Sequence, residues 1–566
     1  MPNSAIDHSL ARLDQLKTQF GRGTNVILAK SLSFLERKSV TNPARLIRLH
    51  EALLFLRAFP KDPRSLQHVE RMLKRVCSRV EKIAATGADM SDFDTFESSG
   101  IAGTTMQDTL SFDVTRWLVR RLPGEVEIAW DEHEEERSLG TLLPYLVPLI
   151  DDDSDVEADT PWQRWLQSAK SGRDLTWLVE RFEKLPFSDR QKSLAYESLK
   201  LPIRWKVPNT RFSRTLNFRR ASPIFYHRNA LITRREVSLA DELAKPKPRM
   251  HRLSPRDGAG IANMIREVMA VRYRELYGTT LADPGSVVAS DMGRGVTIYL
   301  WNLPPERRLP LRAYAAGFTL KNGVPINYIE AIGLCEWIEI GFNTFYTYRD
   351  GETAWIYGQV LRCLHAHMGA SCFSVYPYQI GKDNDEAISS GAFWFYRKLG
   401  FRPGRADLLR LTLREEQRIG SDRNYRTPAR VLKRLADDHV FYELPGNEIG
   451  AWDSFSARNL GLRASHAMSR QFNGDVSRLQ RDSVIRVSRA LSTNPNRWSA
   501  LEQKAFADWS TALRFVPDLS SWNLAEKRSL IDLIRAKPAA NEMKFLHLTQ
   551  RHHRLRRELL RLGSRA

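Results

Sequence analysis

A chain of 566 residues is too long for one hydrophobic core and divides, at about 150 residues per domain, into three or four domains. Apolar residues at 42% and charged residues at 27% are ordinary globular values, which excludes a disordered tail protein. The formal net charge of +20 favours an acidic partner (nucleic acid, anionic lipid headgroups or a phosphorylated cofactor), although plain surface charge satisfies it equally well.

Four cysteines without a CxxC pair are too few for a disulfide framework and imply a reducing, cytoplasmic setting. The polar, amphipathic start MPNSAIDHSLARLDQL has no apolar core segment, so no signal peptide is expected. No stretch approaches the roughly 20 apolar residues that span a bilayer, and LLPYLVPLI at 142–150 is short and carries two prolines.

Residues 1–122 form a predicted helical domain. Apolar residues recur at helical spacing in Leu13-Leu16-Phe20, Leu46-Leu49-Leu53-Leu56 and Val69-Met72-Leu73-Val76, with Pro60 and Pro63 as breakers. SSGIAGTT at 98–105 is a small-residue loop, and a helix is expected from Asp108 through Leu122. Residues 123–200 read as a second helical domain with acidic loops. EVEIAW at 125–130 alternates like a strand, whereas DEHEEE at 131–136 and DDDSDVEAD at 151–159 lack an EF-hand pattern or a His/Cys partner and read as solvated loops, not a metal site. The region 201–247 is a basic, aromatic connector. Arg and Lys interleaved with Trp205, Phe212, Phe218, Phe225 and Tyr226 fit a single-stranded nucleic-acid binder or a loop-rich packing segment.

Residues 248–412 change character. RMHRLS reads as a short strand and Asp257 as the cap of a helix through GAGIANMIREVMAVRYREL. RGVTIYLWNL and LPLRAYAAGFTL are strands, Asn322-Gly323 is a hairpin turn, and VPINYIEAIGL and EWIEIGF continue the sheet. YRDGETAWIYGQVLRCLHAHMG turns into a long helix. CFSVYPYQI is a strand, DEAISSGAFWFYRKLGF a second helix ending at Gly400, and ADLLRLTL a closing strand. Residues 413–566 are again helical. Thr427 is the expected cap of the helix in RTPARVLKRLADD, and the cationic amphipathic RHHRLRRELLRLGSRA ends the chain.

The order strand, helix, antiparallel strands, helix, strand, helix, strand resembles the GNAT N-acetyltransferase superfamily. The closest likeness is SGAFWFYRKLGFRP at 390–403, where Ala392, Phe395, Tyr396, Lys398, Gly400 and Phe401 fall on the family's late-helix motif. The fold class expected is α+β and multidomain, with a central GNAT-like mixed sheet covered by helices on both faces and helical flanks. The resemblance implies a V-shaped opening between the strand near 326–341 and that at 372–380. It implies acetyl-CoA or another acyl-CoA as cofactor, an amine as acceptor, and Tyr396 as general acid on the thiolate. The family's Q/R-x-x-G-x-G/A turn, which holds a pyrophosphate on backbone N–H groups, falls on Tyr348-Arg349-Asp350-Gly351-Glu352-Thr353-Ala354. Gly351 alone is in register. Arg349, Gly351, Thr353 and Ala354 are the candidate cofactor contacts, while Asp350 and Glu352 add charge of the wrong sign. Glu330, Glu336 and Glu339 are candidates for a base. Glu339 is preferred because Ile338 and Ile340 then face the core.

Cys363, His365 and His367 lack a further ligand pair and read as helix packing, so no metal is expected. No GxSxG, Walker A or HExxH motif occurs. Two readings follow: an acyl-CoA-dependent N-acyltransferase, and a non-catalytic GNAT-like scaffold that binds nucleic acid or another polyanion.

Overall fold

The computed structural model describes residues 2–38, 40–134, 139–147, 162–170 and 172–564. The acidic run 151–159, the end of the run 131–136, and Arg565 lie outside them. The chain forms two compact units, Met1–Ala230 with Ala262–Thr280 and Asn322–Pro325, and Leu231–Ile261 with Leu281–Lys321 and Ile326–Ala566.

The first unit begins with five helices: Pro2–Lys17, Arg22–Arg37, Pro43–Ala58, Pro63–Lys74 and Val76–Ala84. Asn42 and Asp62 start two of them, each side chain accepting a backbone N–H while a proline takes the first helical position. A small antiparallel sheet follows, made of β1 (Thr105–Thr109), β2 (Val126–Ile128) and β3 (Pro202–Lys206) in the order β1-β3-β2. The helix expected from Asp108 therefore starts later. Ser111 caps Phe112–Arg121, and Asp108 and Thr109 pair instead with Ile203 and Pro202.

The basic connector is divided: residues 201–230 belong to this unit and residues 231–247 to the second. Trp205 and Phe212 are each 1% exposed and belong to one apolar core with Trp177, Phe182 and Tyr196, so neither ring is available to a base. Arg204 reaches Gln107 and Asp131, and Arg214 reaches Glu51. At these positions the rings pack and the two arginines pair.

The second unit is built on a nine-stranded sheet. Its strands are β4 (His251–Arg252), β5 (Val288–Gly293), β6 (Val296–Asn302), β7 (Ala313–Lys321), β8 (Val324–Leu334), β9 (Trp337–Thr344), β10 (Cys372–Val375), β11 (Arg402–Pro403) and β12 (Val440–Glu443). The order across the sheet is β11-β12-β10-β9-β8-β7-β6-β5-β4. β9 and β10 are parallel, joined by the helix Thr353–Met368. β10 pairs antiparallel with β12, as β9 does with β8. Asn322 and Gly323, both at positive φ, turn the chain from β7 into β8.

Two expected strands differ. CFSVYPYQI is extended only to Val375, because Pro377 opens a helical turn, Pro377–Ile380. ADLLRLTL is the start of the helix Ala406–Ser421, whose buried residues Leu408, Thr412 and Glu415 recur at helical spacing without a Gly or Pro to break it. The strand closing that side comes from beyond residue 412, as β12. Thr427 does not cap its helix. Pro428 precedes Ala429–Leu435, and the Thr427 hydroxyl accepts a hydrogen bond from the Trp394 indole.

Helices lie on both faces of the sheet. Tyr357 of helix 353–368 packs on Phe342 and Phe401, and on the opposite face Trp337 stacks on Trp452. Six helices complete the unit: Ala457–Phe472, Val476–Leu491, Ala500–Leu513, Leu524–Ala536, Glu542–Arg551 and His553–Gly563. Reciprocal Ser499/Glu502 and Asn523/Glu526 caps fix the starts of two of them. Among the described residues no helix is long and apolar enough to cross a membrane, and all four cysteines are buried and unpaired.

Candidate functional site

Parallel pairing of β9 and β10 covers four residues, from Trp337 opposite Cys372 to Ile340 opposite Val375. β9 then continues to Thr344, while the other chain turns away at Pro377. The strands part at this point, and the side chain of Gln379 fills the gap between them. Its Oε1 accepts the Phe342 N–H at 3.3 Å, and its Nε2 lies so close that a Cβ on Gly341 would meet it at 3.0 Å. The backbone donor that β9 exposes is thus taken by the protein itself.

The turn ahead of helix 353–368 is tied down by contacts within the chain. Gly351 donates its N–H to the Tyr348 carbonyl at 2.9 Å. Thr353 opens the helix, its hydroxyl donating to the Arg349 carbonyl, and Ala354 follows at 4% exposure. Arg349 donates to the Thr344 carbonyl, pairs with Glu386 at 2.5 Å and lies 4.0 Å from the centre of the Tyr346 ring. The Glu352 side chain makes no cap hydrogen bond to the helix N–H groups. It precedes the helix, is fully buried, pairs with Arg294 and with Lys321 at 3.3 Å, and accepts the Ile232 N–H. A carboxylate at a helix N-terminus complements the dipole as an anion would. Burial pushes the Lys321 amine down to about 8, with Glu352 opposing that shift.

Tyr396 lies in an apolar cluster. Its ring meets those of Tyr357, Phe395 and Phe401 at 5.2–5.6 Å, and burial pushes its phenol pKa well above the ordinary value. Glu339 lies on the other face of the sheet, as the parity of Ile338 and Ile340 requires. Its Oε2 is 2.9 Å from His439 Nε2, and its Oε1 is 3.9 Å from Arg312. Burial alone would lower the His439 pKa, but hydrogen bonds with Asp438 and Glu339 outweigh it and hold the imidazole up at about 9. Glu330 and Glu339 project to the same face, opposite Gly341 and Ile332 respectively. Glu330 accepts the Tyr314 hydroxyl hydrogen bond, and burial raises its pKa. Glu336 is remote in role, tied to the Trp452 indole and Arg556.

The structure thus separates the sequence candidates. Tyr396 and the 349–354 turn lie on the helix-353 side, and Glu339 lies on the other with His439, Arg312, Glu330 and Tyr314. His439 was missed because it stands 100 residues downstream in a stretch that reads as helical. The alternation of VFYE after it was the only available signal of a returning strand. Chemically, the second group is a partly exposed proton-holding cluster. Glu339 there is the ion-pair partner of the His439 imidazole.

Comparison with protein-family models, with curated proteins and with solved structures finds no match to the chain.

Proposed function

We propose that the second unit is a GNAT-like scaffold that binds an acidic macromolecule and does not hold acyl-CoA at the family's pyrophosphate turn. The strand order around the parallel β9–β10 pair and the 390–403 motif support the GNAT-like part of this reading. Its second part is carried by buried Glu352, paired with Lys321 and Arg294 at the start of helix 353–368. A pyrophosphate there would have to displace a carboxylate from two cations and leave it buried and unpaired, which costs several kcal/mol. Gln379 closes the neighbouring backbone donor in the same way.

Calorimetric titration with CoA and acetyl-CoA tests this. No heat of binding is expected at millimolar ligand, and no gain in thermal stability. A stable complex would rise by about 2.7 kcal/mol at 100 times its Kd. Measurable binding would overturn the scaffold reading.

A second reading, an acyl-CoA-dependent N-acyltransferase acting on an amine, draws on the Glu339–His439 cluster beside the parting strands. In it Glu339 relays the amine proton and Tyr396 protonates the thiolate. The same titration decides between the two.

A further inference from the structure

The acidic partner needs cations that are not already paired, and in the last helix Arg554, Arg556 and Arg561 pair with carboxylates. Residues 457–491 hold seven arginines and no lysine against two acidic residues, Asp475 and Asp482. These residues form two consecutive helices, Ala457–Phe472 and Val476–Leu491, joined through Asn473 in the left-handed region. In the second helix Leu479, Ser483, Val487 and Leu491 are buried, a four-residue repeat that fixes its inner face. Arg478, Arg481 and Arg489 fall on the opposite face and are exposed, with Arg486 at its margin.

Arg458 and Arg470 of the first helix are exposed as well. Of the seven arginines only Arg463 is engaged through its side chain, donating to the Leu562 carbonyl. Both carboxylates are committed: Asp475 accepts the Arg478 N–H as helix cap, and Asp482 pairs with Arg514 at 3.4 Å. Six guanidinium groups therefore stand in solvent without a carboxylate partner among the described residues.

We infer that this helical pair, with helix 476–491 at its centre, docks on the phosphate backbone of duplex nucleic acid. The inference rests on the scaffold reading only in taking a polyanion as partner. Arg478 to Arg489 spans eleven residues, about 16 Å of helix, or roughly five phosphates along one strand. Guanidinium groups bind phosphates bidentately, and exposed serines 465, 469 and 477 add neutral donors. The exposed positions carry no Phe, Tyr or Trp and His466 is their one aromatic ring, so the surface lacks the row of stacking platforms that single strands use. Only Leu462 and Ile485 are exposed large aliphatics within the two helices apart from Val476 at a helix start, too few and too separated for insertion into a bilayer.

Fluorescence anisotropy of the full chain with labelled duplexes of about two helical turns, DNA and RNA, tests the inference. With about six phosphates neutralised, affinity should fall about a thousandfold between ~50 and ~200 mM salt. The triple variant Arg478→Gln, Arg481→Gln, Arg489→Gln should lower the salt slope by about three, with an unchanged melting temperature because all three side chains are exposed. Binding of either duplex with this pattern supports the inference, and the tighter of the two names the source. Wild-type affinity and slope in the triple variant would overturn it. So would equal affinity for the corresponding single strand, or binding to phosphatidylserine vesicles in place of both duplexes. Should the triple variant melt early, the single variants Arg481→Gln and Arg489→Gln carry the same test at a slope change of about one each. CoA binding would remove the scaffold reading and leave this surface standing. Failure of both duplexes would remove the surface and leave the CoA result untouched.

Discussion

Two cationic places in the second unit use their charge in opposite ways. At the start of helix 353–368, Lys321 and Arg294 are both paired with a carboxylate of their own chain. On helix 476–491 the arginines face water, and the carboxylates within reach are already spent on a cap and on Arg514. A net charge of +20 is silent on this distinction. What matters for a polyanion is which cations are unpaired, because a buried pair cannot be opened without leaving one member desolvated.

The comparison is sharpened most strongly by breaking the closed set. Glu352→Ala leaves Lys321 and Arg294 without their anion in a dry site and should cost about 3–5 kcal/mol, read as a shift in urea midpoint at constant slope. Glu352→Gln combined with Lys321→Met should recover most of that loss, since the pair is removed together. A loss below about 1 kcal/mol in Glu352→Ala would mean that water reaches the site and that the cations are open after all.

Next in size is the pH dependence of the Glu339–His439 pair. The folded-state pKa of His439 lies at about 9, above its ordinary 6.5. Its contribution to stability is therefore complete below pH 6.5 and is lost as pH rises through 9. His439→Gln should cost on the order of 2 kcal/mol at pH 6 and little at pH 10. Denaturant titrations of both proteins at several pH values between these check it. A difference that is constant with pH would show that the imidazole is not charged in the fold.

Much of this architecture was legible in the sequence. The strand runs at β6 to β9, the Asn322-Gly323 turn and the 353–368 helix were read from it, whereas β5 was not. The other failures share one cause. ADLLRLTL has leucines that satisfy a helix and a strand equally over eight residues, and only the buried Thr412 and Glu415 resolve it. The chain then detours through two helices before β12 returns to the sheet, so the partner of β10 could not be found by proximity in sequence. Glu352 was legible as a charge of the wrong sign but not as a paired one, because Lys321 and Arg294 reach it from β7 and the β5–β6 turn. Tyr396 fitted a motif that serves packing as well as chemistry, and a motif cannot say which way a ring points.

The smallest expected effects lie in that aromatic cluster, and they bear on the same contrast between closed and open groups. The Tyr357 hydroxyl is buried without a hydrogen-bond partner among the described residues. Removing it as Tyr357→Phe should stabilise the protein by about 1 kcal/mol, since a desolvated, unsatisfied group disappears while the ring contacts remain. Tyr396 shares the cluster, but its hydroxyl is not wholly shut off, the residue being 5% exposed. Tyr396→Phe should therefore change stability by less than about 0.5 kcal/mol. Its functional reading is sharper than its energetic one. A scaffold has no use for the phenolic proton, so duplex binding by the variant should equal wild type at every salt concentration. An acyltransferase would lose kcat with KM unchanged if the phenol protonates a thiolate. A thermal melt and a duplex titration on this one variant thus ask whether the ring is core alone. A fall in kcat, in any amine acylation assay the wild type passes, would return Tyr396 to the chemistry and reopen the site that Glu352 and Gln379 close.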